Sequence, residues 1–245
     1  MTHGSLFTGI GGFDLPAQWV GIETLWQIEK DEFCLKVLNK RFPNAKKYEA
    51  IKNVKTEELT AVDIISGGFP CQPFSLAGKR KGTTDDRYLW DEMFRIIRSV
   101  KPSWVIAENV HGLINISDGL VFEQVLSDME NEGYDTQPFI IPASAVNAPH
   151  KRDRVWIIAN NHRKHSKEHF SGHQSQGESN EKPIRRSVYD WNRHWTQVAS
   201  ELCRMDDGIS TRLDRHRIKA LGNAIVPQVA YNIFKTITII ERAKL

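Results

Sequence analysis

Short apolar runs alternate with amphipathic stretches from the N-terminus to Ala159. "HGSLF" is an apolar run stopped by the glycines of "TGIGGFD", which predicts strand, tight turn and helix start. "ETLWQIE" reads as a second strand ending in an acid, and Asp31 to Phe42 as a helix with Cys34, Val37 and Leu38 on one face. "AVDIISG" is a strand that runs straight into "GFPCQPFSLAGKRKG". Leu89, Met93, Ile96, Ile97 and Val100 recur at helical spacing, and Pro102 ends that helix. "SWVIAEN" is a further buried strand. Val121, Phe122, Val125, Leu126 and Met129 mark the next helix, stopped at Gly133. "YDTQPFII" and "RVWIIA" read as strands, and Pro227 to Leu245 as a helix presenting Val229, Ile233, Ile237 and Ile240. Strands alternating with helices over short connections predict an α/β fold, its sheet mostly parallel with helices on both faces.

The pattern breaks after Ala159. "NNHRKHSKEHFSGHQSQGESNEKPIRRS" is polar and aperiodic and reads as a loop or disordered insert. Aromatic residues return in "VYDWNRHWTQVASELCRM" before the chain rejoins the main domain. The composition, 40% hydrophobic and 26% charged over 245 residues, supplies a sizeable core. The net charge of +3 is mild, but the basic residues concentrate after Lys79 and between Lys151 and Arg217. Cys34, Cys71 and Cys203 are far apart and form no C-x-x-C pair, so no zinc site or disulfide framework is expected. Sparse cysteines, no signal-peptide pattern and no apolar run of spanning length give the expectation of a cytoplasmic protein that contacts no membrane.

Ligands of such sheets sit at the carboxyl ends of the strands. Here those ends carry Gly9–Gly12, Glu29, Pro70–Gln72 and Glu108–Asn109, which should gather along one rim. The glycine turn is either a plain strand-to-helix turn or a place where backbone approaches a nucleotide-like ligand between Phe7 and Phe13. Glu29 is a surface acid or an acceptor for ribose hydroxyls. Cys34 reads as a small buried hydrophobe. Cys71 sits in a rigid Pro-Cys-Gln-Pro loop beyond a strand end, where packing is a weak reason for a thiol. To act as a nucleophile it needs nearby positive charge, for which Lys79, Arg80, Lys81, Arg152 and Arg154 are candidates. Glu108 follows the apolar "WVIA"; partial burial there raises a carboxyl pKa and allows acid chemistry near neutrality, although a turn-capping role fits equally. Arg152 and Arg154, two apart at a strand start, should share one face. They suit a phosphate or a base edge, or a solvated basic edge.

In order, "FTGIGG", "GGFPCQPFS", "AENV", "HKRDR" and "LGNAIVP" resemble the motifs of the DNA (cytosine-5) methyltransferases, and the compact size resembles phage or prophage members. The resemblance implies a Rossmann-like S-adenosyl-methionine-dependent methyltransferase sheet with a small target-recognition insert. Residues 1–159 and 213–245 would form the catalytic, cofactor-binding domain and residues 160–212 the recognition domain. It implies a transfer of methyl to C5 of a flipped-out cytosine in a specific duplex sequence, through a covalent Cys71–C6 adduct. Glu108 would protonate N3, Arg154 contact the cytosine O2, Arg152 order the pocket or a phosphate, and Asn109 hold the loop that carries Cys71. S-adenosyl-methionine, with no metal, would be held by Phe7, Gly9, Gly11, Gly12, Phe13, Glu29, Leu89, Asn223 and Ala224. Gln72, Ser75, Lys79, Arg80 and Lys81 would close over DNA. Double-stranded DNA is the expected partner of a monomeric enzyme, alongside a possible cognate restriction endonuclease.

Three positions depart from the family pattern. Ala50 replaces an aspartate that contacts the adenine amino group, leaving Glu49 as the nearby acid. Lys30 stands where an aromatic is frequent, and His150 where glutamine is. None of these removes a group that does the bond chemistry. The competing readings are a catalytically weak DNA-binding homologue, which Ala50 slightly favours, and a relative acting on transfer RNA. A cysteine hydrolase is disfavoured because no histidine falls at a strand end that would pair with Cys71.

Overall fold

The computed structural model describes residues 1–70, 89–148, 151–161 and 211–244. Its first half follows the predicted alternation, with one short edge strand, β3, that was not expected: β1 (Thr2–Leu6), α1 (Asp14–Trp19), β2 (Glu23–Ile28), α2 (Glu32–Arg41), β3 (Lys46–Tyr48) and β4 (Ile64–Gly68). Then come α3 (Trp90–Val100), β5 (Trp104–Val110), α4 (Leu120–Asn131), β6 (Tyr134–Ile141), β7 (Arg154–Asn161), α5 (Thr211–Asn223) and α6 (Pro227–Arg242). Local chemistry sets the ends. The Asp31 carboxylate caps α2 by accepting from the amides of Phe33 and Cys34. Lys101 closes α3 in the left-handed region, with Pro102 blocking continuation. Pro227, which lacks an N–H to waste, starts α6.

The seven strands lie in the order β3-β2-β1-β4-β5-β7-β6. The first five run parallel, and β7 is antiparallel to both β5 and β6. Central strands are buried on both faces, and adjacent residues serve different cores. Ile65, Val105 and Ala107 join α3 and α4 in one cluster, whereas Ile64 and Ile106 join α1 and α6 in the other. Met93, Ile96 and Ile97 of α3 are fully buried, as their spacing predicts. On α6, Val229, Ile233 and Ile237 are buried while Ile240 stays 38% exposed, so the apolar stripe outruns the core at its last turn. A side chain at Gly4 would meet the buried Trp26 ring at 2.1 Å, so the β1–β2 contact needs glycine there. Among the described residues no helix is long and apolar enough to cross a membrane.

The chain winds outward from β1 through β2 to β3, then returns to the other side of β1 for β4 and β5. The direction of winding reverses between β1 and β4, and a crevice opens there at the carboxyl ends of the strands.

Candidate active site

That crevice is a cavity of about 480 Å³. The ends of β1, β2, β4 and β5 bring Phe7, Gly9, Gly12, Phe13, Glu29, Pro70, Glu108 and Asn109 to its wall. Leu89, Arg152, Arg154, Asn223 and Ala224 complete the set of expected residues that line it.

The turn after β1 is held by backbone geometry that glycine supplies. Gly9 and Gly11 have φ of +59° and +91°, and Phe7 also lies in the left-handed region. Gly12 gives close approach to the Ile225 side chain, 2.9 Å from where a Cβ would stand. Glu29 ties this turn to α2. One of its oxygens accepts from the Gly9 amide at 2.7 Å, and the other from the amides of Lys30 and Asp31 at 2.8 Å. Its carboxylate is thus a fixed acceptor, with one lone pair, on Oε2, left over for a hydroxyl group.

Glu108 lies at the end of β5 and is 8% exposed. Burial pushes its carboxyl up from 4.5 to about 7, opposed by the charges of Arg154 and Arg152. The Arg154 Nε stands 3.0 Å from Glu108 Oε1. The neighbouring strand residue Gly68 leaves room for the acid, since a Cβ there would lie 3.0 Å from Glu108 Oε2. Asn109 donates its side-chain amide to the Phe69 carbonyl at 2.9 Å and accepts from the Val110 amide at 2.8 Å. It therefore fixes the segment that ends at Pro70 on the cavity wall.

Cys71 itself, with Gln72, Ser75, Lys79, Arg80 and Lys81, lies outside the described residues, as do His150 and 162–210. Two expectations are corrected. Gly11 does not line the cavity: it faces the Phe42 ring, 2.5 Å from where a Cβ would stand, so its role is in the turn. Arg152 and Arg154 do not share a strand face, because β7 begins at Arg154 and Arg152 precedes it with φ of +41°. Arg154 turns to Glu108, whereas Arg152 donates to the carbonyls of Gly222 and Ala224. Phe13 has a double role, lining the cavity while packing edge-on against Trp156 in the core. Cys34 is buried as expected, and burial pushes its thiol up to about 12, which leaves it un-ionised.

Asp31, Ile51, His216, Lys219 and Ala220 also line the cavity and were not expected. Glu49 is on the wall too, while Ala50 is not. His216 stacks on Phe33, and the Lys219 Nζ is 3.6 Å from the Asp31 carboxylate. One sequence signal could have found the α5 residues. His216, Lys219, Ala220 and Asn223 fall at i, i+3, i+4 and i+7 and so form one helical face leading into "GNA".

The wall residues suit a nucleoside-bearing ligand. Phe7, Ile51 and Leu89 supply an apolar pocket, Glu29 an acceptor for hydroxyls, and Gly9 and Gly12 a close backbone approach. A raised-pKa acid with its own arginine sits at the other end, beside the entry to the Cys71 loop.

Comparisons with known proteins agree with this arrangement. The Type II methyltransferase M.Bsp6I of Bacillus sp. is 34% identical over 158 residues, covering 63% of this chain and 50% of that protein. M.HhaI of Haemophilus parahaemolyticus, also a Type II methyltransferase, is 34% identical over 154 residues, covering 62% and 47%. The chain thus spans half or less of the length of these relatives. A candidate DNA modification methyltransferase encoded within an E. coli prophage superposes with a TM-score of 0.58 at 25% identity, over 70% of this chain and 49% of that one. A Spodoptera frugiperda DNMT2 variant shares the fold, with a TM-score of 0.55 at 23% identity over 65% and 50% of the two chains. The family model for the C-5 cytosine-specific DNA methylase matches residues 1–204. With that match over most of its length, the chain belongs to the C-5 cytosine-specific DNA methylase family.

Proposed function

We propose that the protein methylates C5 of a cytosine extruded from a specific duplex DNA sequence. The observation that carries this reading is the shared cavity. A buried acid poised near neutrality and the entry to a Pro-Cys-Gln-Pro loop open onto the same space as a glycine turn and a fixed acceptor carboxylate.

Cytosine is a poor electrophile and a poor nucleophile at C5. Attack of the Cys71 thiolate on C6 forms a C–S bond and drives the ring electrons toward N3, where the Glu108 proton is taken up. C5 is thereby made an enamine carbon. S-adenosyl-methionine, when bound, supplies an electrophilic methyl group. After C5 has gained that methyl, loss of the C5 proton to solvent, expulsion of the Cys71 thiolate and return of the N3 proton to Glu108 restore the ring. Arg154 holds the Glu108 carboxyl in place and faces the cytosine O2. Asn109 steadies the peptide leading to Cys71. On the cofactor side Phe7, Ile51 and Leu89 would flank the adenine, Glu29 the ribose, and Asn223 with Ala224 the methionine end. Extrusion of the base costs a few kcal/mol, which contacts to the duplex must offset. Those contacts we assign to Gln72, Ser75, Lys79, Arg80 and Lys81, and to a separate recognition domain, expected over 160–212 but trimmed to 162–210 because Asn160 and Asn161 end β7 and Thr211 starts α5. In this reading the enzyme works as a monomer in the cytoplasm, with or without a companion endonuclease.

The test is methyl transfer from labelled cofactor to duplex DNA, with transfer RNA as competitor. Label at cytosine C5 in duplex DNA, with binding that weakens steeply as salt rises, supports the reading. Label only in RNA, or none in either, overturns it.

A further inference from the structure

Helix α5 forms one wall of the cavity, yet most of its described side chains are exposed. Of its side chains from His216 to Asn223 only Ala220 is buried. Core packing holds this wall only at Ala220 and, just past the helix end, at Ile225, and its other attachments are polar. His216 stacks on Phe33 and Lys219 pairs with Asp31 midway along the helix. At the C-terminal end the attachment is Arg152, whose Nη2 donates to the Gly222 carbonyl at 2.7 Å and to the Ala224 carbonyl at 2.9 Å.

The last carbonyls of a helix have no partner within it and carry the negative end of its dipole, so a guanidinium there is doubly favoured. The two carbonyls flank Asn223, and Gly222, Asn223 and Ala224 all line the cavity. Arg152 reaches them from a left-handed backbone, φ +41°, in a segment anchored by the Ala143 amide to the Lys151 carbonyl. Two residues later the same segment delivers Arg154 to Glu108.

We propose that Arg152 is a positioning residue that sets Asn223 and the α5 wall for the cofactor, and so couples the cofactor half of the cavity to the base half. Arg152 touches neither the base nor a DNA phosphate. This rests on the reading of the glycine-turn end of the cavity as the cofactor site.

The test is calorimetric titration of S-adenosyl-homocysteine and, separately, of duplex DNA into the full chain. Arg152→Met is expected to weaken S-adenosyl-homocysteine roughly 10- to 100-fold, the scale of losing a charge-assisted hydrogen bond. Arg152→Lys, a point charge that cannot bridge two carbonyls, should fall between it and the wild type. Affinity for duplex DNA and its salt dependence should be unchanged. In an Asn223→Ala background, Arg152→Met should add little further loss, because both act through one contact. Equal loss in both backgrounds, or a weakened and less salt-sensitive DNA affinity, overturns the proposal and marks a phosphate contact instead. If Arg152→Met does not fold by thermal melt, Arg152→Lys and Asn223→Ala decide by the same cycle. Failure of the wild type to bind S-adenosyl-homocysteine would refute the cofactor reading itself, a result distinct from wild-type binding that Arg152 variants leave intact.

Discussion

Replacing Arg154 with methionine should move the alkaline limb of the reaction to higher pH. Glu108 must carry a proton to neutralise the ring, and burial holds its carboxyl at about 7. Half of the protein is then competent at neutral pH, and the rate should fall about tenfold for each pH unit above that. Arg154, 3.0 Å away, works against burial by favouring the carboxylate. An opposite charge this close lowers a carboxyl by about one to three pH units, so its removal should raise the limb by at least about one. The maximum rate of Arg154→Met will be lower, because the contact to the cytosine O2 is gone. At about pH 8, however, the variant should keep a larger share of its own maximum than the wild type does. The assay is single-turnover methyl transfer to duplex DNA with enzyme in excess, each protein normalised to its own plateau. Glu108→Gln, which cannot release a proton, serves as the control and should show low activity with no descending limb. A limb that stays put or moves to lower pH in Arg154→Met refutes the reasoning, as does a wild-type rate that still climbs at about pH 9.

Gly68→Ala would place a methyl 3.0 Å from Glu108 Oε2, against an acid already held by Arg154. It should slow turnover while leaving S-adenosyl-homocysteine affinity unchanged; a parallel loss of both would show a general collapse of the site. Gly4→Ala collides with the buried Trp26 ring and should cost about 1–3 kcal/mol or more in denaturant unfolding, with activity per folded molecule preserved. Asp14, fully buried between Ser5 and Gln27, is raised from 3.8 to about 6 by burial. Its protonated form favours the folded state, so its contribution is complete below about pH 4 and is lost as pH rises through about 6. The difference amounts to about 3 kcal/mol. Asp14→Asn should flatten that part of the stability–pH curve, and an unchanged slope would show that Asp14 does not cause it.

Much of this organisation could be read before any coordinates. Leu89, Met93, Ile96 and Ile97 recur at helical spacing because one face of α3 must be buried, and all four are. The strand-end residues converge because a parallel sheet places every carboxyl end on one side. Periodicity carries no direction, so the antiparallel placement of β7 between β5 and β6 was not legible. Helix α5 was missed for a related reason: a helix that buries little shows no apolar stripe to find. His216 and Lys219 reach the cavity through contacts with Phe33 and Asp31, about three-quarters of the chain away in sequence. Arg152 illustrates a further limit. Its two-residue spacing from Arg154 implies a shared face only inside a strand, and the left-handed backbone at Arg152 places it before the strand begins.

Catalysis in this reading passes through a bond between the Cys71 sulfur and one ring carbon. It is tested most directly with a cognate duplex carrying 5-fluorocytosine at the target base, whose C5 fluorine cannot leave as the proton does and so freezes the adduct. With S-adenosyl-methionine present, mass spectrometry of the denatured, digested complex should find the methylated fluoropyrimidine attached to the peptide containing Cys71, and Cys71→Ser should trap nothing. A trapped base on Cys34 or Cys203, or normal methylation of cytosine by Cys71→Ser, would contradict the account.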